Sequence, residues 1–355
     1  MCQAFAQQGY TPTLFAFQSP IVGNPTEDFF HHYGIQEQFD IDLIRSRKLL
    51  RGHDFALQVA NRVKRQQFPF VYSRGLLGAM WTAIIGIPTI YETHQPPGSR
   101  LGQYYLRILL GRKSFRKLVV ISDGLKTRYL ERYPSLLSPE QIIVEPDAVD
   151  LERFEDLPDR RSAREKINLP EAVFTVGYAG HLYKGRGIDL ILELAVQLRE
   201  VNFVLIGGEE QHIQRWQMIV DDRRLENVRL VGFVANAELP KYLAACDILL
   251  MPYQQNIEVQ GSKLSTHEWM SPMKMFEYMA AERLIISSDF PILRQVLNEK
   301  NAVLCSPKAI DEWETAIRRA IGQPEWGQKL ATQARQDVEQ YTWRTRVQRI
   351  MAEIE

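Results

Sequence analysis

The sequence predicts an α/β protein made of two doubly wound domains facing across a cleft. Three observations lead there. Short apolar runs alternate with segments of helical period, which implies parallel strands joined by helical crossovers. The alternation runs through once and restarts after a charged stretch, 151–170, bracketed by Pro158 and Pro170 and read as a linker. The 355 residues suit two domains at roughly 150 residues each, both large enough to bury a core. The divisions expected are 1–160, 161–335 and a closing helical segment, 336–355.

Taken in order, residues 2–8 are helical in character. A doubly wound domain normally opens with a strand and a glycine-bearing turn, so a first strand is expected to be missing ahead of residue 1. The strands of the first half are the runs 13–17, 70–72, 89–93, 117–122 and 141–144. The longest uncharged stretch, 75–91, is shorter than the roughly 20 residues that span a bilayer and is broken by Gly78, Gly86 and Pro88. It reads as a buried helix followed by a strand. In the second half, strands are expected at 173–178, 202–206, 228–231, 248–251 and 284–287, with helices at 188–200, 238–244 and 273–281.

Composition narrows the function classes. Hydrophobic residues make up 45% and charged residues 24%, the balance of a globular protein rather than a disordered or collagenous one. Forty-three basic residues offset forty-three acidic ones, so no global field draws in nucleic acid, and none is expected as a partner. Cys2, Cys246 and Cys305 lack disulfide-framework or zinc-ligand spacing, and no basic segment leads into an apolar one at the N-terminus. A cytoplasmic protein is expected.

Two segments carry the chemistry. In WMSPMKMFEYMA, 269–280, Ser271 suits an N-cap and Pro272 the first helical position, so a helix starts there with its free N–H groups at the sheet's carboxyl edge. Such a start, through Met273 and Lys274, can hold a phosphate. Glu277, one turn on among apolar neighbours, is placed to accept hydrogen bonds from a hydroxyl pair such as a ribose. The plainer alternative is a Lys274–Glu277 salt bridge on a solvated face. In GYAGHLYKGRGIDL, 177–190, Gly180 and Gly185 belong to a glycine-rich turn whose backbone can approach a diphosphate, with His181, Lys184 and Arg186 adding charge. A strand-to-helix turn with incidental surface cations would look the same.

Together with PDAVDLERF at 146–154, Gly232-Phe233-Val234 and the run 271–289, these segments resemble the family 4 glycosyltransferases of the GT-B fold, built from two Rossmann-like domains. The resemblance extends from about residue 2 to the end. It implies transfer of a sugar from a nucleotide donor with retention of configuration, usually without a metal or cofactor, in polysaccharide or glycoconjugate biosynthesis. The donor would bind the second domain and the acceptor the first, and 336–355 would cross back to the first domain. Position by position, Glu277 matches the second glutamate of the family's pair, while Trp269 stands where the first belongs. His181 and Arg186 stand where the family has an arginine and a lysine on the diphosphate. Phe233 and Val234 fall where it brackets the base, and His94, after IleTyrGluThr, where a histidine faces the donor sugar. The catalytic set implied is His94, Arg186 and Glu277.

The acceptor is a glycan, a lipid-linked sugar or a small molecule. Between Glu92 and Asp123 every charge is basic, and 100–117 interleaves these cations with apolar residues. That pattern suits either contact with anionic lipid at the inner face of a membrane or a helix covering the sheet. Asp40-Ile41-Asp42 has metal-ligand spacing but lies outside any expected strand-end site, and no metal is expected. His31, His32, His53, His212 and His267 are expected to be surface or core residues. Two other readings stay open: a nucleotide-sugar epimerase or a phosphorylase on this fold, and a nucleotide-sugar-binding protein without turnover.

Overall fold

The computed structural model describes residues 1–18, 29–30, 33–36, 39–47, 50, 52–255 and 268–354. The chain divides into two compact units, one built mainly from residues up to Pro146 together with Trp343–Glu355, the other mainly from Asp147–Thr342.

The first unit opens with α1 (Cys2–Ala6) and β1 (Thr13–Phe17) and continues through β2 (Asp40–Ile44), α2 (His53–Arg65), β3 (Val71–Ser73), α3 (Leu76–Ile84) and β4 (Thr89–Thr93). It then runs through α4 (Arg100–Leu110), β5 (Phe115–Val120), α5 (Asp123–Arg132) and β6 (Ile142–Val144). Strands β3-β4-β5-β6 form one parallel sheet, and β1 and β2 form a separate parallel pair. The Asp40-Ile41-Asp42 run is thus a strand, and Asp42 is ion-paired with Arg62 of α2. The uncharged stretch does become a helix, α3, and a strand, β4. Helix α4 buries Leu106, Leu109 and Leu110 while leaving Leu101 48% and Tyr104 59% exposed beside exposed Arg100 and Arg107.

The second unit contains α6 (Arg160–Lys166), β7 (Thr175–Ala179), α7 (Ile188–Gln197), β8 (Asn202–Ile206), α8 (Glu210–Asp222), β9 (Val228–Gly232), α9 (Leu239–Ala244) and β10 (Ile248–Met251). Next come α10 (Met273–Ala280), β11 (Leu284–Ser288), β12 (Val303–Cys305), α11 (Ile310–Gly322) and α12 (Pro324–Asp337); the last helix, α13 (Trp343–Ala352), belongs to the first unit. The division therefore falls at Pro146 rather than near residue 160. The stretch expected as a linker is folded: α6 buries Ala163 and Arg164, and the Arg164 guanidinium donates to Ala245 O (3.0 Å), Glu171 O (2.6 Å) and the Asp247 carboxylate.

The sheet of this unit is parallel throughout, in the order β12-β11-β10-β7-β8-β9. Both faces are covered. Phe203, Leu205, Ile248 and Leu250 enter one core with α7, α8 and α11, while Val204, Ile206, Leu249 and Met251 enter another with α10 and α12. This period-two division explains the near-continuous apolar strands, since both faces of a parallel sheet are buried. Chain order reverses between β7 and β10. In such sheets that switch point leaves a crevice beyond the strands' carboxyl ends.

In the first unit, α13 packs Val347, Ile350 and Met351 with Ala4 and Phe5 of α1 and with Ile90, Val119 and Ile143 of the sheet. It also delivers Arg346, fully buried, which donates to Pro146 O (2.8 Å), Glu145 O (3.2 Å) and the buried Glu92 carboxylate (2.9 Å). Burial would raise the pKa of Glu92, but hydrogen bonds from His94 and Tyr72 and the charge of Arg346 outweigh it and hold the carboxyl well below its usual range. Replacing one partner strands the other, so Arg346→Met should lower stability in urea melts by about 3–5 kcal/mol. Because a depressed native pKa gives stability above the unfolded value of about 4.3 that is lost on acidification, the wild type should weaken from pH 5 to 3 more than the variant does. Equal acid sensitivity of the two would contradict this.

Candidate active site

The carboxyl end of β7 runs into the glycine turn at the switch point. Gly180 (φ +137°) donates its N–H to Ile206 O (2.8 Å), and Gly185 (φ +81°) accepts from Gln254 N–H (2.9 Å), which ties the turn to the segment leaving β10. Gly187 (φ +83°) precedes α7, and a Cβ there would overlap the Pro252 carbonyl. Glycine is required at that close approach.

Helix α10 starts at the same place. Its Tyr278 hydroxyl accepts the Ala179 N–H (2.7 Å), and its Lys274 ammonium lies against Gly180, where an added Cβ would sit 2.8 Å from Nζ. The turn and the helix start, expected to share one site, are brought together. The capping differs from expectation. Ser271 accepts the Asp147 N–H on its Oγ (2.8 Å) instead of capping the helix, Pro272 is the N-cap residue, and Met273, 44% exposed, is the first helical position. The N-cap residue of α10, Pro272, makes no side-chain cap, in contrast with Ser99 at α4 and Ser122 at α5. In the first turn of α10 the Met275 N–H donates to Pro272 O (2.9 Å), while the N–H groups of Met273 and Lys274 have no partner from within the helix.

The expected alternative of a solvated Lys274–Glu277 pair is wrong. Both side chains are buried, with 9% and 7% of their surface exposed, and no salt bridge joins them. Helical spacing puts them on one side of α10, and packing turns that side inward. Among the described residues Lys274 Nζ has no hydrogen-bond partner and lies 3.9 Å from the centre of the Tyr178 ring. A desolvated cation–π contact is worth about 2 kcal/mol, whereas burying an ion costs several, so the ring alone does not offset the burial. Burial, then the charge of Arg186, pushes the Lys274 pKa well below its ordinary value. Burial likewise raises the pKa of Glu277, against the opposing charges of Arg153 and Lys274.

Arg186 is half-buried, with its guanidinium carbon 5.4 Å from the Tyr253 ring centre and Nε buried without a partner among the described residues. His181 stacks on Tyr183 (4.7 Å between centres), and burial plus the charges of Arg186 and Lys274 lower its pKa. These influences favour its neutral form. Lys184 is exposed on the turn. Phe233, 73% exposed, follows β9, and Val234 packs partly into the core beside α10. Trp269, at the position of the family's first glutamate, is buried.

In the first unit His94 donates from Nε2 to Glu92 Oε1 (2.7 Å), and Arg74 lies 3.2 Å from Nδ1. The imidazole is thereby oriented by a carboxylate that Arg346 and Tyr72 hold in turn. His53 is structural, paired with Tyr105 Oη (2.9 Å) and accepting from Trp81 Nε1 (3.3 Å). His212 packs edge-on to Tyr183, and His31, His32 and His267 lie outside the described residues. Sequence reasoning did not single out Arg153, Tyr178, Tyr253, Glu92 or Arg346. Arg153, Glu92 and Tyr178 lie inside the segments that carry the family resemblance, whereas Tyr253 and Arg346 lie outside them.

Residues 1–153 match the family model described as Glycosyltransferase Family 4, and residues 173–323 match that described as Glycosyl transferases group 1. The 2-deoxystreptamine glucosyltransferase of Streptomyces kanamyceticus is 22% identical over 268 residues, covering 70% of this chain and 65% of the relative. The UDP-Gal:alpha-D-GlcNAc-diphosphoundecaprenol alpha-1,3-galactosyltransferase of Escherichia coli is 22% identical over 230 residues, 59% of this chain and 58% of the relative. The chain thus spans less than two thirds of the length of these curated relatives. Among solved structures, sucrose-phosphate synthase from Thermosynechococcus elongatus has a TM-score of 0.73 at 17% identity, over 99% of this chain and 90% of that one. Anabaena HepE in complex with UDP has a TM-score of 0.72 at 16% identity, over 96% and 98%. These likenesses show the fold.

A carboxyl whose native pKa is raised penalises the folded state as pH climbs past the unfolded value of about 4.3. Glu277→Gln should therefore melt a few degrees above the wild type at pH 8, with the gap closing toward pH 4. A variant less stable at pH 8 would show that Glu277 has a structural partner.

Proposed function

This chain belongs to the family 4 glycosyltransferases, and on that footing we propose that it moves a sugar from a nucleoside-diphosphate donor to an acceptor hydroxyl, with retention and without a metal. The observation that supports this reading is the convergence, at the switch point of the second sheet, of a glycine turn, Arg186, a helix start whose N-cap residue is a proline and the buried carboxyl of Glu277, which has no ion pair or side-chain hydrogen bond among the described residues. The turn, Arg186 and the N–H groups of α10 suit a diphosphate. A ribose hydroxyl pair supplies the hydrogen bonds that Glu277 lacks. Exposed Phe233 offers a face for the base. The names of the relatives, a glucosyltransferase and a UDP-galactose-dependent galactosyltransferase acting on a lipid-linked acceptor, support a nucleotide sugar as donor.

In the reaction the bond between the anomeric carbon and the diphosphate oxygen breaks, and negative charge grows on the leaving group. Donors already aimed at that charge lower the barrier. The acceptor oxygen bonds to the same face of the anomeric carbon, and its proton passes to the departing phosphate oxygen. Arg186 and the helix start provide the stabilising field without a metal. The family resemblance assigns His94 to the donor sugar, and Glu92 fixes its ring.

Incubation with UDP-, GDP- and ADP-sugars should release nucleoside diphosphate faster when an extract-derived acceptor pool is added. The product should keep the donor's anomeric configuration by NMR, and the rate should survive EDTA. His94→Ala should lower turnover roughly 10²-fold while donor binding persists. Conversion of the donor at full rate with no acceptor would identify an epimerase, and an inverted product would rule out retention.

The exposed Leu101 and Tyr104 among the cations of α4 support a position at an anionic membrane surface, suited to a lipid-linked acceptor. Leu101→Glu/Tyr104→Glu should abolish co-sedimentation with phosphatidylglycerol vesicles, and a wild type that stays in the supernatant would refute this placement.

A further inference from the structure

We propose that Lys274 is a diphosphate-binding residue, the second cation that, with Arg186, holds the donor's leaving group. The assignment rests on the donor reading above and deepens it. Three features of the free protein carry it. The Lys274 ammonium is buried, has no hydrogen-bond or ion-pair partner among the described residues, and is not joined to Glu277 although that carboxylate lies three residues along the same helix. It also approaches the turn where the diphosphate would lie: a Cβ at Gly180 would sit 2.8 Å from Nζ, so the missing side chain is what leaves room beside the ammonium.

Lys274 and Arg186, finally, meet the same aromatic ring. Nζ is 5.3 Å and the guanidinium carbon 5.4 Å from the centre of Tyr253. Two like charges brought to one ring repel each other, and that repulsion depresses the Lys274 pKa. A ligand carrying two or more negative charges reverses the sign of this arrangement, pairing with both cations at once. His181 is stacked on Tyr183 instead, and burial with the neighbouring cations disfavours its charged form. Lys184 on the same turn is exposed, so the two cations that meet at Tyr253 are Arg186 from the loop and Lys274 from the first turn of α10.

The test is calorimetric titration of wild type and Lys274→Met with UDP, GDP, ADP and inorganic pyrophosphate, with a melting curve for each variant. Lys274→Met should weaken pyrophosphate, and whichever nucleoside diphosphate the wild type binds, by roughly tenfold or more. Adding His181→Arg to that variant returns a cation to the turn and should restore most of the loss, a rescue that a purely structural lysine would not give. Lys274→Gln serves with the same expectations where the methionine variant does not fold. Unchanged affinity in a folded Lys274 variant, or no recovery on adding His181→Arg, overturns the assignment alone. A wild type that binds none of the four ligands overturns the donor reading and this assignment together.

Discussion

Between β7 and β10 the strand order of the second sheet reverses, and no crossover helix can cover the gap between their carboxyl ends. Every feature of the site follows from that uncovered gap. The chain leaving β7 turns through glycines because other backbone comes too close for a side chain, at Gly187 against Pro252. Helix α10 returns to the same gap through the Tyr278 hydroxyl on Ala179 N–H and brings its first turn to Gly180. A family-level function then rests on a topological fact rather than on any single motif.

The two units treat buried charge in opposite ways. In the first, Glu92 is almost fully buried, and it is held by Arg346, Tyr72 and His94, so its charge is satisfied and its pKa falls. In the second, Glu277 and Lys274 are buried without ion pairs among the described residues, and their pKa values move toward the neutral forms. The satisfied carboxylate behaves as scaffold, orienting His94. The unsatisfied pair is what the proposed donor would satisfy, the pattern expected where perturbed groups gather at a functional site.

How much of this was legible in the sequence follows from the kind of constraint involved. Five of the six strands of the second unit read clearly because both faces of a parallel sheet are buried, whereas the three-residue edge strand β12 was missed; the glycine turn and α10 were placed correctly because punctuation and period are local signals. Tertiary partners were not legible. Ser271 has the chemistry of a cap, yet the Asp147 N–H claims its hydroxyl. Lys274 and Glu277 have salt-bridge spacing, but only packing decides that their face turns inward. The charge of 151–170 suggested a solvated linker, whereas Arg164 is buried against Ala245 and Asp247. Asp40-Ile41-Asp42 showed metal-ligand spacing without reading as a strand because β1 was not recognised as its partner.

Amide hydrogen exchange of the wild-type protein, with and without whichever of UDP, GDP or ADP raises its melting temperature most, tests the central claim most directly. The account predicts slowed exchange at the backbone N–H groups of 180–187 and of 273–275 together. Protection confined to one of these segments, or appearing only elsewhere in the chain, would contradict it.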